Sequence, residues 1–299
     1  MSNLVHAGPR QIGPFEVGPL AFGCWRFTEH TVADGRALIE SALELGMNLI
    51  DNADVYGLDW GGDGFGACEE LLGAVLADAP GLRDRLVLAT KGGIVPPIPY
   101  DQSPQALREA CEASLRRLGV EVIDLYQIHR PDLFVHPHDV AATLTALRDE
   151  GKIREVGVSN FTVAQYDALA AALDFPMATT QPEYSAVRLD PLRDGTFDRA
   201  MRDGVVPLAW SPLAGGRLAT GDDVAPALVD VLDRIAHRQG VDRASVALAF
   251  VLAHPAAPVA IVGSQHPDRL RAAHGALEVH LDRNDAYDIV EASEGVPLP

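Results

Sequence analysis

Eight short apolar segments, separated by amphipathic stretches, recur along this chain of 299 residues. The segments are Pro19–Phe22, Met47–Ile50, Leu86–Ala89, Ile123–Ile128, Ile153–Val158, Met177–Thr180, Val205–Ala209 and Val259–Val262. Each is short and apolar, and several are rich in β-branched side chains, which is typical of strands that are buried on both faces. Regular alternation of such strands with helices predicts an α/β fold built on a parallel sheet.

Capping residues support helices between these segments. Ser103-Pro104 predicts an N-cap followed by proline at the first helical position. Gly46, Gly119 and Gly151 lie where the intervening helices are expected to end, because glycine readily adopts the left-handed conformation that closes a helix.

The series of β/α units favours a (β/α)8 TIM barrel that spans residues 1–299 as a single domain. A doubly wound open sheet is the alternative. That fold usually has a GxGxxG turn after its first strand, where this chain has Gly23-Cys24-Trp25. A β-hairpin around Gly13-Pro14 is expected to cap the bottom of the barrel. The glycine-rich stretch Gly57–Gly66 lacks the Lys-Ser/Thr of a phosphate-binding loop, so a lid-like loop is expected there.

Charge and cysteine content exclude several classes of protein. The net charge of −18 disfavours binding to nucleic acid or to anionic lipid, because both need a basic surface. The three cysteines are widely spaced and form no CxxC pair, so no metal site or disulfide framework is expected. Neither a signal peptide nor a membrane span is evident, and we expect a cytoplasmic protein that is monomeric by default.

Polar residues lie at the end of nearly every predicted strand. They are Asp51, Lys91, His129, Ser159, Asn160, Gln181, Trp210, Ser211, Gly263 and Ser264. In a β/α barrel the carboxyl ends of the strands converge on one mouth, which is where active sites are found. The sequence therefore predicts one pocket lined by residues that are far apart in the chain.

Four residues at this mouth suit proton delivery to a carbonyl group. A tyrosine such as Tyr56 is a poor acid at neutral pH, and the ammonium group of Lys91 is expected to lower its pKa. Asp51 is expected to keep the buried Lys91 charged. His129 is placed to donate a hydrogen bond to the substrate oxygen as negative charge develops on it.

Four motifs resemble those of the aldo-keto reductase family. Asp51–Gly57 (DNADVYG) is similar to the family's DTAxxYG, with Asn52 in place of threonine, and Leu88–Lys91 is similar to its catalytic lysine strand. Asp124–His129 (DLYQIH) and Gly151–Phe161 (GKIREVGVSNF) are similar to two further family segments. The His129–Asp132 (HRPD) and Ala209–Leu218 segments resemble a bacterial oxidoreductase branch. The resemblance extends from about Pro19 to about residue 285.

The resemblance implies carbonyl reduction by a nicotinamide cofactor, with Asp51, Tyr56, Lys91 and His129 as the catalytic residues. It implies that Ser159, Asn160 and Gln181 bind the carboxamide and that Trp210 stacks on the nicotinamide. The remaining expected cofactor contacts are Gly23, Cys24, Trp25, Ser211, Pro212, Leu213, Gly215, Gly216, Arg217, Gly263, Ser264 and Arg269. Trp25, Tyr56, Trp60 and His129 are expected to contact a small carbonyl substrate.

The expected adenosine-phosphate site departs from the commonest family pattern. Gly263 replaces a lysine, and Ala272-Ala273 replace a Glu-Asn pair. Arg269 remains as a planar partner for a phosphate group, so we expect NADPH in preference to NADH.

Two other functions remain open from the sequence. One is a regulatory protein on the same barrel that binds nucleotide as a redox sensor with little turnover. Alternatively, Lys91 is the Schiff-base nucleophile of a barrel isomerase or aldolase.

Overall fold

The fold is a closed parallel barrel in a computed structural model that describes residues 2–58 and 62–299. Within these residues, eight parallel strands pair with their neighbours in chain order. They are β3 (Leu20–Gly23), β4 (Leu49–Asp51), β5 (Val87–Gly92), β6 (Ile123–Ile128), β7 (Ile153–Ser159), β8 (Thr179–Gln181), β9 (Val206–Ala209) and β10 (Val259–Val262). The barrel closes where Val262 of β10 is in register with Phe22 of β3. The predicted (β/α)8 architecture is therefore confirmed.

Helices connect the strands and cover the outside of the barrel. They are α1 (Val32–Glu44), α2 (Ala67–Asp78), α3 (Pro104–Leu118), α4 (Pro137–Asp149), α5 (Val163–Ala170), α6 (Thr196–Asp203), α7 (Arg217–Thr220), α8 (Pro226–Gln239), α9 (Arg243–Leu252), α10 (Pro267–His274) and α11 (Arg283–Glu294). The Ser103 side chain caps α3 by accepting a hydrogen bond from the backbone N–H of Ala106. Gly46, Gly119 and Gly151 have φ angles of 75°, 64° and 74°, as expected at helix ends. Within the described residues, no helix is both long and apolar enough to cross a membrane.

A short hairpin precedes the barrel and fills its lower end. Strands β1 (Arg10–Ile12) and β2 (Phe15–Val17) pair antiparallel around Gly13-Pro14. Ile12 and Val17 are buried in one cluster with side chains of the barrel interior, including Leu125. Because the hairpin supplies the apolar side chains that close the lower end, the predicted cap is confirmed.

The barrel interior has an apolar lower part and a polar upper part. Leu49, Val87 and Leu208 belong to the buried interior cluster. Two residues beyond Leu49 on the same strand face lies Asp51, and side chains two apart share a face of the sheet. Because every second side chain of a strand faces inward, the inward-facing residues can change from apolar to polar toward the mouth, as from Leu49 to Asp51 in β4.

The strands extend further toward the mouth than the sequence predicted. Asp51, Lys91, Ser159 and Gln181 lie within β4, β5, β7 and β8 rather than after them. Polar side chains are tolerated in these strands because they meet polar partners inside the closed sheet. Gly157 of β7 is required by this packing, because a Cβ atom there would lie 2.0 Å from Oγ1 of Thr179.

Truncation of the hairpin side chain at position 12 tests the closure of the barrel. We expect Ile12→Ala to lower the free energy of unfolding by about 2–5 kcal/mol, because it leaves a cavity in a close-packed interior. Gln11→Ala, in the exposed position next to it, is expected to change that free energy by less than about 0.5 kcal/mol. Chemical denaturation monitored by circular dichroism measures both, and equal effects would contradict the packing.

Candidate active site

A buried ion pair lies at the centre of the barrel mouth. The ammonium of Lys91 is 2.7 Å from Oδ2 of Asp51, and the two side chains are 0% and 3% exposed. Lys91 Nζ also donates to the backbone oxygen of Asn52 at 2.8 Å and to Oη of Tyr56 at 3.1 Å. An ammonium group has three N–H donors, and these three acceptors match them.

Its partners keep Lys91 charged although it is buried. Burial by itself lowers the pKa of Lys91, but the Asp51 carboxylate and the Tyr56 hydroxyl together outweigh burial and raise that pKa above its ordinary value. The predicted role of Asp51 agrees with this geometry. Removal of one partner from a buried ion pair leaves an uncompensated charge, so both residues are needed for the pair to persist.

The hydroxyl of Tyr56 faces the same ammonium group. The pKa of Tyr56 is raised because burial outweighs the opposite effect of Lys91. The sequence-based expectation of a lowered pKa is therefore wrong for the net direction, although Lys91 does act in the expected sense. Because Tyr56 Oη accepts from Lys91, its own hydrogen is left for another acceptor.

His129 completes the group from the end of β6. Its ring packs edge-on against the Tyr56 ring, with centroids 5.7 Å apart and an interplanar angle of 79°. Burial, followed by the charges of Lys91 and Arg130, lowers the pKa of His129 well below its ordinary value. The Nδ1 atom is buried without a hydrogen-bond partner among the described residues. The imidazole is therefore neutral near pH 7 and has a free nitrogen at the site.

The other oxygen of Asp51 is held by two glutamines. Gln181 Nε2 donates to Oδ1 of Asp51 at 2.9 Å, and Gln127 Nε2 lies 3.3 Å from the same oxygen. Gln127 was not among the predicted site residues. The alternation of side chains along β6 is the signal that identifies it, since Gln127 is two residues before His129 and shares its strand face.

Asn160 connects the site to Trp210. Its side chain donates to the backbone oxygen of His129 at 3.2 Å and to Oγ of Ser159 at 2.8 Å. Its Oδ1 accepts from Nε1 of Trp210 at 3.0 Å, which fixes the orientation of the partly exposed indole ring. Asn160 has a φ of 59°, a left-handed conformation that asparagine tolerates better than most residues. These contacts bring three of the predicted cofactor residues together beside His129.

The loop after β9 has an unusual backbone. Ser211, Ala214, Gly215 and Gly216 have positive φ angles of 53°, 51°, 72° and 107°. The Ser211 hydroxyl accepts from the backbone N–H of Gly215 at 3.1 Å, whereas Pro212 is buried and Leu213 is partly buried. The expected cofactor contacts from Ser211 to Gly216 thus lie on one tight, partly exposed turn.

The last βα loop presents an exposed cation. Gly263 and Ser264 precede α10, and Arg269 is exposed in its first turns, with no acidic partner among the described residues. The neighbouring Arg271 pairs with Asp268 and neutralises its charge. The Arg269 guanidinium is therefore exposed and not engaged by a carboxylate of the described residues.

Three of the predicted contacts, Gly23, Cys24 and Trp25, lie at or just after the end of β3, and they differ in exposure. Gly23 is in register with Asp51, and its oxygen accepts from Nε2 of Gln265 at 3.2 Å. Cys24 is fully buried, which leaves its thiol out of reach of a bound molecule. Trp25 is 43% exposed and lies under the guanidinium of Arg26, 5.5 Å from its ring centroid. Trp60, the other predicted substrate contact, lies outside the described residues.

The buried carboxylate of Glu69 forms a second polar network, which involves Thr90 of β5. Glu69 is fully buried, accepts from Oγ1 of Thr90 at 2.5 Å and pairs with Arg117 at 2.7 Å. Arg117 also lies 5.6 Å from the ring centroid of Phe65. Because Thr90 precedes Lys91, this network ties α2 and α3 to the strand that carries the central ammonium. The sequence analysis did not single out Glu69.

Comparison with known proteins gives consistent results over the whole chain. A family model described as "Aldo/keto reductase family" matches residues 19–294. The chain is 49% identical to a 6-dehydroglucose reductase of Novosphingobium aromaticivorans over 295 residues, which is 97% of each chain. It is 35% identical to a 6-dehydroglucose reductase of Agrobacterium fabrum, covering 94% of this chain and 95% of the relative.

A solved structure with the same fold supports this likeness. It is an aldo/keto reductase from Klebsiella pneumoniae in complex with NADP and acetate, with a TM-score of 0.80 and 25% identity. The match covers 99% of this chain and 97% of that one.

The neutrality of His129 is directly measurable. Because its pKa is lowered, we expect its imidazole to remain uncharged as the pH falls through 6.5, where a histidine ordinarily titrates. NMR titration of the His129 imidazole resonances measures this. A titration midpoint of His129 at the ordinary value would contradict the electrostatics of the site.

Proposed function

From the premise that this chain belongs to the aldo/keto reductase family and is an oxidoreductase that uses a nicotinamide cofactor, we propose that it reduces a sugar-like aldehyde with NADPH. We propose Tyr56 as the proton donor. The observation that carries the proposal is the convergence of Tyr56, Lys91 and His129 at the barrel mouth, with 3.1 Å between Tyr56 Oη and Lys91 Nζ.

In this mechanism the phenol of Tyr56 protonates the carbonyl oxygen of the substrate. Its raised pKa keeps it protonated in the resting site, as a donor must be. The phenolate that forms is stabilised by the Lys91 ammonium, which Asp51 holds in place at 2.7 Å. When bound, the nicotinamide supplies the hydride.

His129 orients the substrate oxygen toward Tyr56. A neutral imidazole donates a hydrogen bond to this oxygen without competing with Tyr56 as a proton source. Asn160 holds the backbone at His129 and anchors the Trp210 indole. The partly exposed ring of Trp210 suits stacking on a nicotinamide, and Ser159, Asn160 and Gln181 lie beside it as candidate carboxamide contacts.

The relatives support the choice of substrate. The Novosphingobium and Agrobacterium proteins are both 6-dehydroglucose reductases, and the former is 49% identical to this chain along nearly its full length. We therefore propose 6-dehydroglucose, a hexose whose C6 is an aldehyde, as the first substrate to test. The cytoplasmic location and monomeric state stay predictions from the sequence.

Arg269 supports NADPH as the preferred cofactor. It is exposed, and the nearby negative charge of Asp268 is neutralised by Arg271. A guanidinium that is not engaged by a carboxylate suits the extra phosphate that distinguishes NADPH from NADH.

Removal of the phenolic hydroxyl tests the mechanism. We expect Tyr56→Phe to lower kcat by about 10²–10⁴-fold, because the proton donor is lost while the pocket is retained. Steady-state assays with NADPH and 6-dehydroglucose, glyceraldehyde or 4-nitrobenzaldehyde measure turnover, and fluorescence titration measures nucleotide binding, which is expected to persist.

The same assays discriminate the two other functions. Nucleotide binding by the wild-type protein without turnover of any aldehyde would favour a redox sensor. An unchanged kcat in Tyr56→Phe, together with trapping of substrate on Lys91 by borohydride, would favour Schiff-base chemistry.

Substitution of the exposed arginine tests the cofactor preference. We expect Arg269→Met to raise the KM for NADPH about tenfold or more, since a charge-assisted contact to phosphate is lost. The KM for NADH is expected to stay within about twofold, because NADH lacks that phosphate. An equal rise in both values would contradict the assignment.

A further inference from the structure

Arg130 is a cation at the barrel mouth that the proposed mechanism does not use. It directly follows His129 at the end of β6 and is partly exposed. Among the described residues, no carboxylate pairs with its guanidinium. The chain contains 42 acidic and 24 basic residues, and more than half of the basic ones pair with a carboxylate in the described part of the chain, so Arg130 belongs to the minority that do not.

The nearest acidic residue in the sequence is already engaged. Asp132 accepts from the backbone N–H of Gln102 at 3.0 Å through Oδ2 and from that of Phe134 at 2.9 Å through Oδ1. Both carboxylate oxygens therefore hold the loop in shape. Asp132 stabilises the segment that presents Arg130 rather than neutralising its charge.

The backbone around Arg130 is held from several sides. The N–H of His129 donates to the oxygen of Gly92 at 2.9 Å, and the oxygen of His129 accepts from Asn160. The oxygen of Arg130 accepts from Nε2 of Gln102. Because the peptide groups on both sides are fixed, the direction in which the Arg130 side chain leaves the backbone is fixed as well.

The guanidinium lies within electrostatic range of the imidazole. Its charge is one of the causes, after burial and Lys91, that lower the pKa of His129. The central Lys91–Asp51 pair has no net charge, so Arg130 supplies the unbalanced positive charge on this side of the site. Because Arg130 directly follows His129 at the barrel mouth, a polar substrate held at His129 lies next to the residue that carries this charge.

We propose that Arg130 is a specificity-determining residue whose guanidinium donates hydrogen bonds to the hydroxyl oxygens of a sugar-like aldehyde held at Tyr56 and His129. The inference rests on the proposed carbonyl reduction and specifies what the rest of the substrate must carry. A guanidinium has five N–H donors in one plane, which suits adjacent oxygen acceptors. The net charge of −18 disfavours the approach of anionic substrates, so neutral hydroxyl groups are the expected partners.

A comparison of two aldehydes with the same carbon chain distinguishes recognition of hydroxyl groups by Arg130 from a general loss of activity. Glyceraldehyde carries two hydroxyl groups that propanal lacks. We expect the wild-type protein to prefer glyceraldehyde, and we expect Arg130→Met to lower kcat/KM for glyceraldehyde about tenfold to a hundredfold. The kcat/KM for propanal is expected to stay within about twofold, because propanal has no group for the guanidinium to bind. Arg130→Lys is expected to restore part of the preference, since it keeps the charge but not the planar donors.

Arg85→Met provides a matched control. Arg85 is exposed in the segment just before β5, at the opposite end of the barrel, so both aldehydes are expected to react as with the wild-type protein. Circular dichroism and fluorescence titration with NADPH establish that each variant is folded and binds nucleotide.

The outcomes distinguish this inference from the proposed function. An equal loss for both aldehydes in Arg130→Met, or no loss for either, would overturn the role of Arg130 and leave carbonyl reduction intact. Wild-type turnover without preference for glyceraldehyde would do the same. Absence of wild-type turnover on either aldehyde and on 6-dehydroglucose would overturn the proposed function, and the role of Arg130 with it.

Discussion

The buried contact between Lys91 and Asp51 is the interaction on which the rest of the site depends. A lone ammonium in this position would lose its proton or destabilise the fold, because removing an ion from water costs several kcal/mol. Asp51 prevents this at 2.7 Å, and the two glutamines occupy its other oxygen. A second donor of the charged lysine goes to the backbone oxygen of Asn52 and the third goes to Tyr56, so the ion pair that the folded barrel requires also positions the tyrosine hydroxyl.

The layered interior of the barrel explains how a polar site is tolerated there. The lower part is closed by apolar side chains from the strands and by Ile12 and Val17 of the hairpin. This packing holds the strands in register, so that residues from β4, β5, β6 and β8 meet above it. Gly157 contributes by its lack of a side chain, since a Cβ atom there would collide with Thr179.

Two of the arginines without an acidic partner lie at the open end of the barrel in this acidic protein. Arg130 directly follows His129, the proposed partner of the substrate oxygen, and Arg269 lies at the start of α10, where we propose the cofactor phosphate binds. Neither guanidinium is engaged by a carboxylate among the described residues, whereas more than half of the other arginines are. Because the net charge is −18, the proposed recognition of polar ligands depends on these local positive charges.

The sequence by itself determined the barrel and the identity of its central residues. Repeated apolar segments, helix caps such as Ser103 and motifs such as DLYQIH depend only on local spacing, which can be read along the chain. The tertiary structure alone decided the strand ends at Lys91 and Gln181, the inclusion of Gln127 and Glu69 in buried networks, and the net direction of the Tyr56 pKa. The physical reason is that burial and partner choice arise only when the sheet closes and brings distant residues into contact, and local periodicity does not encode which distant groups will meet.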